Sequence, residues 1–301
     1  MAQSLRVALG QVRPVLGDVA ANVDKHVTIM NEAKQQGASL VVFPELGLTG
    51  YQLQDLTLDV ACTLDSPALQ PLLSASRDLA LDVVFSFVEE SRDHRFYIAS
   101  AYVTRGSVQH VHRKVYLPTY GMFDEGRYFA AGQQFATVDT AYGTMGMLIC
   151  EDAWHPSSPY LLAHSGARVL LLPSNSPARS VTDQGEFGSQ KFWRQLLQVY
   201  AQLFGVYIVF VNRVGFEDGV NFFGGSGIVS PDGAWVVQAP SLEESLVCGD
   251  LHLANVRRAR YTTPLLRDEK KDLVLRMLSR IVRREGENCD ESGDSTAFAV
   301  G

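Results

Sequence analysis

The sequence predicts an α/β protein built as one large domain, and three observations lead there. Short apolar runs alternate with segments whose apolar residues recur at helical spacing. The apolar runs end in turn-forming or polar residues, as strands do when they reach the edge of a sheet. Finally, 301 residues of which 46% are hydrophobic and 20% charged suffice for one sizeable core, and no linker, repeat or low-complexity run divides them.

Taken in order, residues 5–11 read as a first strand, and Val19, Val23, Val27 and Met30 then share one helical face. A short apolar run, Val41-Val42-Phe43, follows and ends in Pro44-Glu45. A helix is expected over 67–79 and strands over 82–88, 96–103 and 107–112. The run Gly146-Met147-Leu148-Ile149-Cys150 reads as a buried strand with Cys150 at its tip, followed by a helix from near Pro156 and a strand at 168–172. Trp193, Leu196, Leu197, Tyr200, Leu203 and Phe204 form one apolar helix face, which reads as core and not as a cofactor site. Strands at 206–211, 225–229, 234–238 and 245–251 complete the sheets, with Asp232-Gly233 as a hairpin turn. The main domain is expected over 1–262. Residues 263–301 hold an amphipathic helix marked by Leu273, Val274, Met277, Leu278 and Ile281, then an acidic, small-residue-rich tail from Glu285 that is expected to be mobile.

Three chemically capable residues fall near strand ends, where ligands of open α/β folds collect: Glu45, Lys114 and Cys150. A thiolate is a strong nucleophile, but a free cysteine titrates too high to be mostly ionised at neutral pH, so it needs a base or a nearby positive charge. Glu45 is a candidate base and Lys114 a candidate cation. When sulfur attacks an amide carbonyl, negative charge grows on oxygen, where a fixed ammonium and a backbone N–H are effective partners. The carboxyl that took the thiol proton then has one to give to the departing nitrogen. Read singly, Cys150 is as readily a small buried hydrophobe, Glu45 a turn residue and Lys114 a solvated strand end.

The segments Phe43-Pro44-Glu45, His112-Arg113-Lys114 with Leu117-Pro118, and Cys150-Glu151-Asp152 with Trp154 resemble the three catalytic blocks of the nitrilase superfamily of carbon-nitrogen hydrolases, in the family's order. Compatible sequence runs from about Leu5 to about Tyr261. Within that superfamily, the stretch from Tyr120 to Phe129 and Cys150-Glu151-Asp152-Ala153-Trp154 are similar to the glutaminase domain of glutamine-dependent NAD synthetases, without a synthetase region alongside. The resemblance implies a four-layer α-β-β-α sandwich that commonly dimerises. It implies Glu45 as general base, Lys114 as oxyanion stabiliser, Cys150 as nucleophile and Glu125 as a second glutamate. It also implies a substrate pocket drawn from Tyr51, Tyr120, Phe123, Glu125, Glu151, Trp154, Ser176 and Arg179. Asn212-Arg213-Val214-Gly215 is closer to the stand-alone amidases, and Arg179 is the nearest arginine for an α-carboxylate.

The expected activity is hydrolysis of a small amide through a thioester. The alternatives are a glutaminase subunit feeding ammonia to a separate NAD synthetase-type partner, and a non-catalytic binding subunit; retention of all three residues favours an enzyme. A net charge of −7 argues against a nucleic-acid surface. No export signal or membrane span is evident, and cysteines at 62, 150, 248 and 289 form no zinc pattern, so a reduced cytoplasm is expected. His110 and His112 share a strand face but lack further ligands, so no metal and no cofactor is expected. The predicted partners are a small amide substrate and a second copy of the chain, as homodimer or higher homo-oligomer, with no nucleic acid and no membrane.

Overall fold

The structure, a computed structural model, describes residues 4–180 and 187–292, with side chains to residue 284. Two compact units are present, Met1–Thr263 and Pro264–Gly301. The first contains the strands β1 (Ser4–Gln11), β2 (Leu40–Val42), β3 (Asp82–Glu90), β4 (Phe96–Thr104), β5 (Ser107–Arg113), β6 (Thr137–Thr140), β7 (Gly143–Met147), β8 (Val169–Ser174), β9 (Tyr207–Asn212), β10 (Val214–Glu217), β11 (Val220–Phe223), β12 (Gly227–Val229), β13 (Trp235–Gln238) and β14 (Ser245–His252). They form two six-stranded sheets, in the orders β14-β1-β2-β3-β4-β5 and β13-β12-β9-β8-β7-β6, and a two-stranded hairpin of β10 and β11.

Side-chain alternation along β1 shows how the layers stack. Leu5, Val7 and Leu9 join Val169, Leu171, Val209 and Val211 of the second sheet in one core, so the two sheets pack face to face. Ala8 faces the other way, with Val41, Phe43, Val83 and Phe85, against Val23, Met30 and Ala33 of the Val19–Gln35 helix. The outer face of the second sheet is covered in the same manner. Trp193 of the Gly188–Phe204 helix meets Phe210 of β9 with ring centroids 4.9 Å apart. The layers therefore run helix, sheet, sheet, helix, which is the sandwich expected. The central pairs β1–β2, β2–β3, β7–β8 and β8–β9 are parallel, and β2, β8 and β9 read as nearly continuous apolar runs because both of their faces are buried.

Four details differ from the sequence reading. The strand before Cys150 ends at Met147, and residues 148–150 lead into a turn, because Leu148 N–H bonds to Leu171 O while Cys150 takes a positive φ of 45°. The β10–β11 hairpin was not anticipated, although its turn, Asp218-Gly219 with φ of 48° and 77°, is a strong hairpin signal. Leu203 is 45% exposed, since the buried stripe of its helix runs through Trp193, Leu197, Tyr200, Ala201 and Phe204. The C-terminal helix of the second unit spans Lys271–Ser292 and so continues past Glu285, where the acidic tail was expected to begin. Positions 293–301 of that tail lie outside the described residues. No helix among the described residues is long and apolar enough to cross a membrane.

Gly146 shows how tightly the second sheet meets its helices. A Cβ there would lie 2.9 Å from Leu162 Cδ1 and 3.0 Å from Leu170 Cδ2. Gly146→Ala is expected to lower stability by about 1–3 kcal/mol through overpacking, read as a lower urea midpoint at unchanged slope.

Candidate active site

Glu45 follows β2, Lys114 follows β5 and Cys150 follows β7 after a short turn, so two strands of one sheet and one of the other deliver the three residues to a common place. The Lys114 ammonium donates at 2.7 Å to Glu45 Oε1 and at 2.7 Å to Glu125 Oε1. All three side chains are buried. Tyr51 donates its hydroxyl to the same Glu125 oxygen at 2.5 Å. Cys150 lies within the electrostatic reach of Glu45, Lys114 and Glu125, and the backbone N–H of Asn175 points at its sulfur.

The charges set the protonation. Burial alone would push the Lys114 ammonium down, but Glu125 and Glu45 more than reverse this, and it is held well above the usual lysine range. Burial, followed by the charge of Glu45, pushes the Cys150 thiol up, with Lys114 opposing. The resting sulfur is thus a thiol in need of a base, and not a preformed thiolate. Burial also raises the Glu125 carboxyl to about 7, against the pull of Lys114. Among the described residues, Glu45 Oε2 and Glu125 Oε2 are buried without a hydrogen-bond partner, as are both amide atoms of Asn175.

Asp152 fixes the cysteine turn to the lysine segment. Its Oδ2 accepts from Ile149 N at 3.0 Å and from His112 Nε2 at 2.8 Å, and its Oδ1 accepts from Val115 N and Tyr116 N, both at 3.0 Å. Cys150 is thereby held at its positive φ of 45°, a conformation that costs a non-glycine residue on the order of 1–3 kcal/mol. His112 is committed to this role. Among the described residues no cluster of three or more His, Cys, Asp or Glu is arranged to hold a metal ion.

Of the other predicted pocket residues, Tyr51, Tyr120, Phe123, Glu125, Glu151 and Arg179 come together. Tyr120 donates at 3.0 Å to the Glu151 carboxylate, Phe123 meets the rings of Tyr51 and Tyr120 edge-on, and the Arg179 guanidinium lies over Phe123, 4.7 Å from the ring centroid. Trp154 and Ser176 turn to the Gly188–Phe204 helix. The Trp154 ring stacks on Phe192 at 4.3 Å, and the Ser176 hydroxyl accepts the Trp193 indole N–H at 2.8 Å. The sequence reading passed over Asp152 and Asn175 as individual residues. For Asp152 the signal was its spacing, since a carboxylate two residues past the cysteine can bond back to the turn's own backbone.

A buried carboxyl with a raised pKa binds its proton more tightly in the folded than in the unfolded chain, so its contribution to stability falls as pH rises from the unfolded value to the folded one. For Glu125 that window runs from 4.5 to about 7. Unfolding measured in urea across it should show stability declining with pH, and Glu125→Gln should flatten the decline.

Residues 6–261 match the carbon-nitrogen hydrolase family. The chain is 33% identical over 261 residues to a glutamine-dependent NAD(+) synthetase of Thermotoga maritima, covering 86% of this chain and 44% of that protein. It is 26% identical over 276 residues to an N-carbamoylputrescine amidase of Solanum tuberosum, covering 87% of this chain and 91% of the other. A solved amidase of the nitrilase superfamily from Nesterenkonia sp. AN1, with the acetamide moiety of fluoroacetamide added covalently at its active-site cysteine, superposes with a TM-score of 0.77 at 25% identity over 90% of this chain and 96% of that one. The chain spans about half the length of the NAD(+) synthetases it matches. The family match over nearly the whole first unit, together with two packed sheets and helices outside them, makes this chain a member of the carbon-nitrogen hydrolase family.

Proposed function

We propose that Cys150 hydrolyses a small carboxamide through a thioester, releasing ammonia and a carboxylic acid. The observation that carries this reading is the Lys114 ammonium held at 2.7 Å by both Glu45 and Glu125 within electrostatic reach of the Cys150 sulfur. Glu45 takes the thiol proton as sulfur bonds to the carbonyl carbon. The oxyanion so formed is stabilised by Lys114 and a backbone N–H of the turn. Collapse breaks the carbon–nitrogen bond, and Glu45 returns the proton to the leaving nitrogen. Water, deprotonated by the same carboxylate, then attacks the thioester, and acid and thiol separate.

The covalent adduct on the active-site cysteine of a glutamate-to-glutamine mutant of the Nesterenkonia amidase supports a nucleophilic thiol in a protein of this fold. Glu125 holds Lys114 only when ionised, so kcat/KM should rise with pH through about 7, the transition belonging to the Glu45–Lys114–Glu125 cluster as a whole. Glu125→Gln should remove that transition.

A second reading, glutamine as substrate with ammonia passed to a separate synthetase, is favoured by Arg179, whose guanidinium lies over Phe123. A single arginine resting on a ring offers modest discrimination for an α-carboxylate, so the broader amide reading is preferred. Ammonia release from glutamine, asparagine, aliphatic amides, ω-amides and nitriles decides between them. A simple aliphatic or ω-amide should turn over within about tenfold of glutamine, a gap of about 1.4 kcal/mol. Hydrolysis of glutamine alone, with KM raised by Arg179→Ala, would replace the amide reading by the glutaminase one. In either case Lys114→Ala should cut turnover by about 10²-fold or more in a folded protein.

A further inference from the structure

Arg213 is fully buried, and among the described residues its guanidinium makes one ion pair, Nη1 to Glu217 Oε2 at 2.7 Å, while Nε and Nη2 have no hydrogen-bond partner. The guanidinium also lies over the face of Phe222, 4.4 Å from the ring centroid. A buried pair that leaves its arginine this poorly satisfied is a weak source of stability, because desolvation of both charges offsets the attraction between them. Its value lies in what the other end of Glu217 holds. Glu217 Oε1 accepts the backbone N–H of Tyr51 at 2.8 Å and that of Gln52 at 2.8 Å. Phe222, under the guanidinium, also meets the Tyr51 ring edge-on at 6.3 Å. Gly50 is needed for this approach: it has φ +79°, and a Cβ there would lie 2.9 Å from Glu217 Oε2.

The hairpin reaches a second part of the site. Pro177 pairs with Phe222 as a β-bridge, and Ala178 N–H donates to Asn221 O at 2.7 Å, immediately before Arg179. One small two-stranded element therefore grips the Tyr51 segment through a side chain and the Arg179 segment through its backbone.

We propose that the β10–β11 hairpin positions the active site, with the Arg213–Glu217 ion pair holding Tyr51 so that its hydroxyl reaches Glu125 and thereby fixes the oxygen that Lys114 meets. Arg213 and Glu217 are positioning residues: they touch neither substrate nor sulfur. The inference rests on Cys150, Lys114 and Glu125 forming one reactive cluster, as in the proposed function.

The test reads Cys150 directly, by its rate of alkylation with iodoacetamide quantified on the Cys150 peptide by mass spectrometry, and needs no amide substrate. Arg213→Met combined with Glu217→Gln removes both buried charges, so that neither is left unpaired. Gly50→Ala keeps both charges and presses a methyl group against Glu217, which makes it a second, independent perturbation. Each is expected to slow alkylation by about tenfold, as is Tyr51→Phe, and either combined with Tyr51→Phe should be no slower than the slower of its parts, since all act through one hydroxyl. Slowing factors that multiply, or parental rates in both hairpin variants, would overturn the inference. Absence of ammonia release from every amide with this coupling intact would instead remove the proposed function and leave the hairpin's positioning role standing.

Discussion

Burying a lone ammonium costs several kcal/mol, and Lys114, with 1% of its side chain exposed, is tolerated only because Glu45 and Glu125 each accept from it at 2.7 Å. Two carboxylates around one ammonium leave the cluster with a surplus negative charge in a dry place. The two carboxylates raise Lys114 well above its ordinary range, while burial, reinforced by the charge of Glu45 and opposed by Lys114, pushes the Cys150 thiol up and lifts Glu125 to about 7. A site in which the thiol, a carboxyl and an ammonium compete for protons has the means to move one proton from sulfur to carboxylate and onward to a leaving nitrogen.

Much of the remaining architecture serves to keep this cluster from relaxing. The three residues arrive from β2, β5 and β7, and neither sheet alone could bring them together. Asp152 accepts four hydrogen bonds, two from the backbone after Lys114, one from the His112 ring and one from Ile149 of its own turn, and so supports the left-handed conformation of Cys150. Tyr51 adds a second donor to the Glu125 oxygen that Lys114 meets, and is itself held at its backbone by Glu217. Tyr120 and Phe123 meet edge-on, with Tyr120 donating to Glu151 and the Arg179 guanidinium lying over the Phe123 ring, so a polar tip, an apolar ring and a charge lie close together.

The alternation of strands and helices and the strand-end positions of Glu45, Lys114 and Cys150 were legible in local pattern, whereas the four-layer sandwich came from the resemblance of three short blocks to the nitrilase superfamily. What the sequence hid depends on contacts distant along the chain. Glu217 is a surface-looking acid in Phe216-Glu217-Asp218-Gly219, and only folding of the hairpin takes it 166 positions back to Tyr51. Trp154 and Ser176 follow the motifs closely, yet their rings and hydroxyls are engaged by Phe192 and Trp193 of a helix whose approach no local pattern reveals. Leu203 fitted the helical stripe by spacing, but its position on the helix turns it to solvent.

The central claim, that one buried cluster makes Cys150 an acylating nucleophile, is tested most directly by intact-protein and peptide mass spectrometry after rapid quenching during turnover of a slow amide. The account predicts an increment equal to the acyl group, located on the Cys150 peptide and lost on continued incubation as the acid forms. An acyl increment on Cys62 or Cys248 with Cys150 unmodified, or ammonia release that survives Cys150→Ala, would contradict it.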